Sequence, residues 1–221
     1  MSSSPVPSSF AARRRLSLAA ILTGLVGVAI LALSMTSSLA AFTASITNSI
    51  NTAAAGTVIM QEQNAAGTVT CNSTDGTGNN VTANTFTCAT INKYGGSTTM
   101  VPGQTVSTTV TIKNTGTSPV AGFTLAPGAC TQSGNVTGSA TDACAKFGLV
   151  ISQTVGGTTT TITPAGSTLT SLASGGALTL TAPVAAGTTI TYKFDVTLAA
   201  TAGNTYQGLA ASQPLTWTFT S

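Results

Sequence analysis

Two stretches of sequence decide the fold: TYKFDVTL at residues 191–198 and LTWTFT at residues 215–220. In both stretches large apolar side chains alternate with Thr, Lys or Asp, so that every second side chain lies on the same face. This period of two is typical of a β-strand with one buried face. A helix would need apolar residues three and four positions apart, and no segment after residue 41 has that spacing.

Shorter segments of the same character, separated by Gly, Pro and Asn, predict further strands. They lie at residues 57–61, 85–91, 106–112, 120–125, 147–154, 158–162 and 178–181. Turns are predicted at residues 102–103, 114–116, 127–128 and 186–187. About ten strands without crossover helices predict an all-β domain, either an antiparallel β-sandwich or a jelly roll.

The N-terminus has the layout of a secretory signal peptide. Arg13, Arg14 and Arg15 precede an apolar run at residues 16–33, and small residues follow at residues 34–41. A basic start, an apolar middle and a small-residue exit are what a signal peptidase substrate needs. The sequence therefore predicts a protein that leaves the cytoplasm and is secreted to the extracellular matrix or the cell surface.

The small residues Ser38 and Ala40 predict cleavage between Ala40 and Ala41. Residues 1–40 are then a helical signal peptide, and residues 41–221 are the β-sandwich domain. An uncleaved membrane anchor is the alternative, because the apolar run nearly reaches spanning length. Cleavage is favoured by the small-residue exit, and it would leave no stable membrane span.

Charge and histidine content exclude several classes of function. After residue 40 the chain has four lysines and four acids, and it has no arginine. A nucleic-acid partner is therefore not expected, because phosphate binding needs clustered Lys and Arg. The chain has no histidine, the commonest general base and metal ligand. No catalytic, cofactor-binding or metal-binding residue is predicted, and the protein is not expected to be an enzyme.

Two weaker patterns have simpler explanations. Asp75 lies among Asn and Gly residues as in a calcium loop, but such a loop uses several carboxylates and this segment has one. Tyr94 and Trp217 are candidates for a sugar-binding surface. Trp217 alternates with Leu215 and Phe219, so packing in the core is the better interpretation.

The chain has four cysteines, Cys71, Cys88, Cys130 and Cys144. Three pairings are possible, and the local pairs Cys71–Cys88 and Cys130–Cys144 are the simplest. Each would stabilise the fold by roughly 3 kcal/mol through loop closure. No CxxC motif is present and no histidine could complete a zinc site, so structural disulfides are favoured over a metal or redox site.

The segment AFTASITNSI at residues 41–50 is an amphipathic strand at the predicted mature N-terminus. Phe42, Ala44 and Ile46 alternate with Thr43 and other polar residues. Such a strand must bury its apolar face, either in its own sandwich or in a neighbouring subunit by strand addition. The low charge of the chain offers little protection against association of sheet edges.

Three blocks resemble the TasA/camelysin family of exported biofilm-matrix fibre subunits, which a dedicated SipW-type signal peptidase processes. They are AAFTASITNSINTAAAGTV at 40–58, MVPGQTVSTTVTIKNTGTSPVAGFTL at 100–125 and AGNTYQGLAASQPLTWTFTS at 202–221. The resemblance implies a jelly-roll subunit that forms a head-to-tail homopolymer, with donor strand 41–50 completing the sheet of the next subunit. Camelysin has been described as a metalloprotease, but without histidine this chain has no visible chemistry for that activity.

A monomeric cell-surface adhesin or binding module with the same sandwich is the alternative function. In that case the N-terminal strand would fold into its own domain. A secreted hydrolase is disfavoured, because no acid–base pair can be assembled from these residues.

Overall fold

The computed structural model describes residues 18–35, 45–47, 50–77 and 84–221. The chain divides into two compact units, Met1–Ala53 and Ala54–Ser221. In the first unit, helix α1 (Leu18–Met35) contains mostly Leu, Ala, Ile and Val. No helix within the described ranges is both long and apolar enough to span a membrane.

The predicted cleavage site and most of the predicted donor face lie outside the described residues. This applies to Ala40, Ala41, Phe42 and Ala44. Ile46 is described, is fully exposed and belongs to neither a helix nor a strand.

The second unit is built from eleven described strands and two short helices. The strands are β1 (Met60–Asn64), β2 (Thr70–Asn72), β3 (Thr105–Asn114), β4 (Gly122–Pro127), β5 (Thr131–Ser133), β6 (Phe147–Val155), β7 (Thr158–Thr161), β8 (Leu178–Thr179), β9 (Thr189–Leu198), β10 (Ala210–Ser212) and β11 (Leu215–Thr220). The helices are α2 (Ala143–Lys146) and α3 (Leu169–Gly175).

The strands form an antiparallel β-sandwich, which confirms the predicted fold class. One sheet has the order β2-β1-β3-β9-β6-β7, a second has the order β11-β4-β8, and β5 pairs with β10. The core lies between the two larger sheets. Tyr192 of β9 packs against Phe123 of β4, with ring centroids 5.9 Å apart, and against Trp217 of β11 at 4.7 Å.

Strand β9 lies near the middle of the large sheet, and its alternating pattern places every second side chain on the buried face. It pairs with β3 on one side and β6 on the other. Its inward side chains, Ile190, Tyr192, Phe194 and Val196, are all buried. Burial of each large apolar side chain contributes roughly 1.5–3 kcal/mol.

The predicted strand at residues 85–91 is wrong. The chain is extended there, but it joins no ladder with any described strand. The reason is its attachment: Cys88 is bonded to Cys71, and the Asn84 amide donates to the Val58 carbonyl at 2.7 Å. These ties fix the segment against Cys71 and Val58 through side-chain bonds, without the backbone ladder of a strand.

Several boundaries also differ from the sequence prediction. The strand predicted at 57–61 begins at Met60, because Thr57 instead bonds to the turn residue Thr117 through backbone and side-chain groups. The predicted turn at 127–128 is absent, since the Gly128 amide donates to the Pro214 carbonyl and continues the β4–β11 ladder. The turns at 102–103 and 186–187 are confirmed.

Five of these helices and strands were not predicted: β2, β5, β10, α2 and α3. Strands β2, β5 and β10 have three residues each and lack an alternating apolar pattern. Helix α3 begins with a capping box between Thr168 and Ser171, and it buries Leu169 and Leu172. The helix is too short for its apolar spacing to stand out in the sequence.

Candidate functional site

The free edge of β11 is the first element of the candidate site. Among the described strands, β11 pairs only with β4, so one of its edges is open. The bond from the Gly128 amide to the Pro214 carbonyl sets the phase of this ladder. Because backbone groups of alternate residues point to opposite sides, Leu215, Trp217 and Phe219 direct their N–H and C=O groups away from β4.

A groove of about 720 Å³ with both apolar and polar walls lies beside this edge. One wall is formed by the inward side chains of β11, including Trp217 and Phe219. The facing residues come from the start of β1, from the Cys71–Cys88 disulfide and from Phe86, which is 44% exposed. A sheet edge and an adjacent groove with apolar side chains in one wall are what an added β-strand needs, since the edge supplies backbone bonds and the groove takes alternate side chains.

The other sheet edges lack this combination. Strand β7 is a run of four threonines whose side chains are all exposed. Strands β2, β5, β8 and β10 have only two or three residues each, which is too short for a long ladder. Thus β11 is the edge in the described part of the chain that is best suited to accept a strand.

A buried ion pair lies in the groove. The Lys93 Nζ is 2.7 Å from the Glu62 Oε1, and the two side chains are only 10% and 8% exposed. The Trp217 Nε1 donates to the same carboxylate oxygen at 3.4 Å. Because the indole is also packed against Tyr192 and Phe123, its orientation is fixed from two sides.

Both local disulfide pairings are present, as predicted. The Cα atoms are 5.9 Å apart in Cys71–Cys88 and 6.1 Å apart in Cys130–Cys144. Only the first disulfide lines the groove.

Asp75 lies in the loop that the Cys71–Cys88 disulfide closes. Its carboxylate accepts hydrogen bonds from the Asn72 backbone at 2.7 Å and from the Asn72 amide at 3.1 Å. It therefore stabilises a turn. Among the residues that the structure describes, no three His, Cys, Asp or Glu side chains form a group that could bind a metal ion.

A second cavity, of about 530 Å³, is lined in part by Tyr94 and Gln213, which form a hydrogen bond with each other. The Tyr94 hydroxyl donates to the Gln213 Oε1 at 2.8 Å, and the Gln213 amide donates to the carbonyls of Gly128 and Leu169. Burial raises the pKa of Tyr94, so the hydroxyl stays protonated as a donor. Tyr94 and Gln213 line the second cavity, whereas their chain neighbours Lys93 and Pro214 line the groove.

The aromatic residues singled out in the sequence lie in different places. Trp217 packs in the core as predicted, but it also lines the groove, whereas Tyr94 lines the second cavity. They do not form one sugar-binding surface. The sequence did not predict the Glu62–Lys93 pair. The only sequence feature that could have pointed to it is the small number of charged residues, because a charge that is buried in the fold needs a partner of opposite sign.

No protein-family model matches the chain, and comparison with curated proteins finds no relative.

Proposed function

We propose that this chain is an exported structural subunit that polymerises head to tail into extracellular or biofilm-matrix fibres. Each subunit donates its N-terminal strand, residues 41–50, to the groove beside β11 of the next subunit. The observation that carries the proposal is the open edge of β11 beside a groove of about 720 Å³, in which Trp217 and Phe219 form one wall. A strand added there would satisfy the outward backbone groups of Leu215, Trp217 and Phe219.

The donor segment supports this function from its own chemistry. Phe42, Ala44 and Ile46 share one face in an extended chain. Ile46 is fully exposed. Removing a Phe and an Ile side chain from water would contribute roughly 1.5–3 kcal/mol each, and ladder bonds would add direction. A contact between a donor on one surface and an acceptor on another does not close on itself, so it propagates a filament.

Export is supported by the cysteines and by the N-terminal sequence. The two disulfides are of the kind that persists in oxidising compartments outside the cytoplasm. Helix α1 follows three arginines, and small residues follow it, as in a signal peptide. The resemblance to the TasA/camelysin fibre subunits points to the same location. We assign the protein no enzymatic activity and no cofactor.

Electron microscopy of the purified chain from residue 41 onward tests the function. The wild type should form long filaments. The double variant Phe42→Asp/Ile46→Asp should remain monomeric, because two unpaired charges would be buried against the apolar side chains of β11. The matched control Thr43→Asp/Thr47→Asp adds the same charge to the opposite face and should still form filaments. Wild-type filament length in the Phe42→Asp/Ile46→Asp variant would refute strand donation.

The alternative function is a monomeric cell-surface adhesin or binding module. The second cavity favours it, because a volume of about 530 Å³ with both apolar and polar walls is large enough for a small ligand. Analytical ultracentrifugation separates the two functions: a chain that stays monomeric at high concentration supports the adhesin.

A further inference from the structure

The inward side chains along the open edge of β11 have a distinct order of size and polarity. Gln213 comes first and is fixed by the Tyr94 hydroxyl. Leu215, Trp217 and Phe219 follow on the same face, with the largest side chain in the middle. Trp217 is held between Tyr192, Phe123 and the Glu62 carboxylate, so it cannot readily turn out of the way of an incoming strand.

The donor segment has the complementary order. Its apolar face presents Phe42, Ala44 and Ile46, with the smallest side chain in the middle. Asn48 is the next residue whose side chain lies on the same face of an extended strand. Side chains directly opposite each other in neighbouring strands are only about 4.5–5.5 Å apart at Cβ. A large residue beside Trp217 would therefore collide with it, whereas alanine fits.

We propose that the donor strand adds antiparallel to β11, with Ala44 beside Trp217. This inference rests on the proposed function and specifies the register of the same site. Phe42 then lies beside Phe219, Ile46 beside Leu215, and Asn48 beside Gln213.

The direction follows from the polar ends of the two sequences. In the antiparallel arrangement Asn48 lies opposite Gln213, where the Gln213 Oε1 and the Tyr94 hydroxyl oxygen keep lone pairs that an amide N–H can use. A parallel strand in the same register would place Asn48 beside Ser221 and leave Gln213 without a polar neighbour in the donor. Antiparallel pairing is also slightly more stable per residue, and every ladder in the described part of the sandwich is antiparallel.

The backbone phase of β11 makes the register testable by cross-linking. Because Trp217 and Phe219 direct their backbone groups to the open edge, the pairs 44–217 and 42–219 exchange hydrogen bonds. Thr43 and Thr218 then form the intervening pair without hydrogen bonds, with Cα atoms about 4.5 Å apart. That separation is within the range of a disulfide, and both side chains lie on the outer face.

The experiment mixes a Thr43→Cys protein with a Thr216→Cys, Thr218→Cys or Thr220→Cys protein during assembly, followed by mild oxidation. The four native cysteines are already in disulfides, so only the new thiols can react. On a non-reducing gel, Thr43→Cys with Thr218→Cys should give roughly tenfold more dimer than either other mixture, because positions two residues away exceed disulfide reach. Dominant cross-linking to position 216 or 220 would overturn the register. Filaments without any of the three cross-links would place the donor elsewhere.

A size exchange gives an independent readout. Ala44→Phe should shorten filaments at least several-fold, because two large side chains would compete for one space. Adding Trp217→Leu should restore their length, while Ser45→Phe on the outer face should have little effect. Normal filaments of the Ala44→Phe variant would overturn the register and leave strand donation intact. Filaments of the Phe42→Asp/Ile46→Asp variant would instead overturn the proposed function itself.

Discussion

Strands β9 and β11 have the same alternating pattern in the sequence, but they differ in what surrounds them. β9 has a neighbour on each side, and its inward residues Tyr192 and Phe194 are completely buried. β11 has one neighbour among the described strands, and its inward residues Trp217 and Phe219 are only partly buried. The pattern thus determines which face of a strand is buried, whereas the topology determines how completely.

This difference separates stability from assembly. The completely buried residues of β9 stabilise the single subunit. The partly buried residues of β11 keep apolar surface and unpaired backbone groups that a further strand can cover. Substitutions on β9 and β11 should therefore have different effects on unfolding and on filament formation.

The largest effect is expected from truncation of a β9 aromatic residue. Phe194→Ala should lower the free energy of unfolding by about 3–5 kcal/mol, because it leaves a large cavity in the core. Phe219→Ala, which removes the same side chain from β11, should cost about half as much in the subunit and yet shorten filaments. Urea denaturation measures the free energy of unfolding, and it is carried out in the Phe42→Asp/Ile46→Asp background so that filament formation does not contribute. An equal loss of unfolding free energy in Phe194→Ala and Phe219→Ala would contradict the proposed difference between β9 and β11.

The ion pair in the groove gives the next largest effect. Lys93→Met should destabilise the subunit by about 3 kcal/mol, because it leaves the Glu62 carboxylate buried without its counter-charge. The double variant Glu62→Met/Lys93→Met should return to within about 1 kcal/mol of the wild type. Lys193→Met is the matched control on the outer face of β9, where the pair with Asp195 is largely exposed. That change should cost less than about 1 kcal/mol in the same urea titration.

The sequence predicted strands correctly where an alternating local pattern coincides with the presence of a partner strand in the fold. The long strands β3, β6, β9 and β11 were predicted because their apolar residues alternate over several positions. The segment 85–91 has the same local character, but a disulfide and the Asn84 hydrogen bonds keep it out of the sheet. No local pattern contains that information.

The site was less predictable for a related reason. The donor segment is continuous in sequence, so its amphipathic pattern is visible. The groove is assembled from distant parts of the chain: Glu62, Lys93 and Trp217 meet only in the folded domain. Residues that far apart have no common spacing in the sequence.

The two disulfides offer a smaller and more selective test. Replacing Cys71 and Cys88 by Ala, or Cys130 and Cys144 by Ala, should each cost roughly 2–3 kcal/mol through loss of loop closure. Only the first pair lines the groove beside β11. At a temperature where both variants are folded by circular dichroism, the Cys71/Cys88 variant should therefore form fewer filaments than the Cys130/Cys144 variant. Identical assembly of the two variants would show that this wall of the groove is not needed.

Removing the hydroxyl group should change the stability of the subunit in opposite directions for Tyr192 and Tyr94. The Tyr192 hydroxyl is buried without a hydrogen-bond partner among the described residues, and burial raises its pKa. Tyr192→Phe should therefore stabilise the subunit by about 1 kcal/mol. Tyr94→Phe removes the bond to Gln213 and should destabilise it by about 1 kcal/mol. Thermal unfolding of the two variants measures both signs, and a loss of stability in Tyr192→Phe would reveal a partner for its hydroxyl.

The smallest expected effect concerns the outer face of β9, where Asp195 lies between Lys193 and Ser107. Burial alone would raise the pKa of this carboxyl, but hydrogen bonds from Lys193 and Ser107 and the lysine charge outweigh it and lower the pKa. A lowered pKa in the folded state contributes stability that is present above the ordinary value near 3.8 and is lost as the pH falls below it. The exposed pair limits this contribution to about 0.2–1 kcal/mol. The stability difference between wild type and Asp195→Asn should therefore shrink from pH 6 to pH 3. A difference that does not change with pH would mean that the carboxylate charge contributes nothing on this face, leaving the stability of β9 to its buried side.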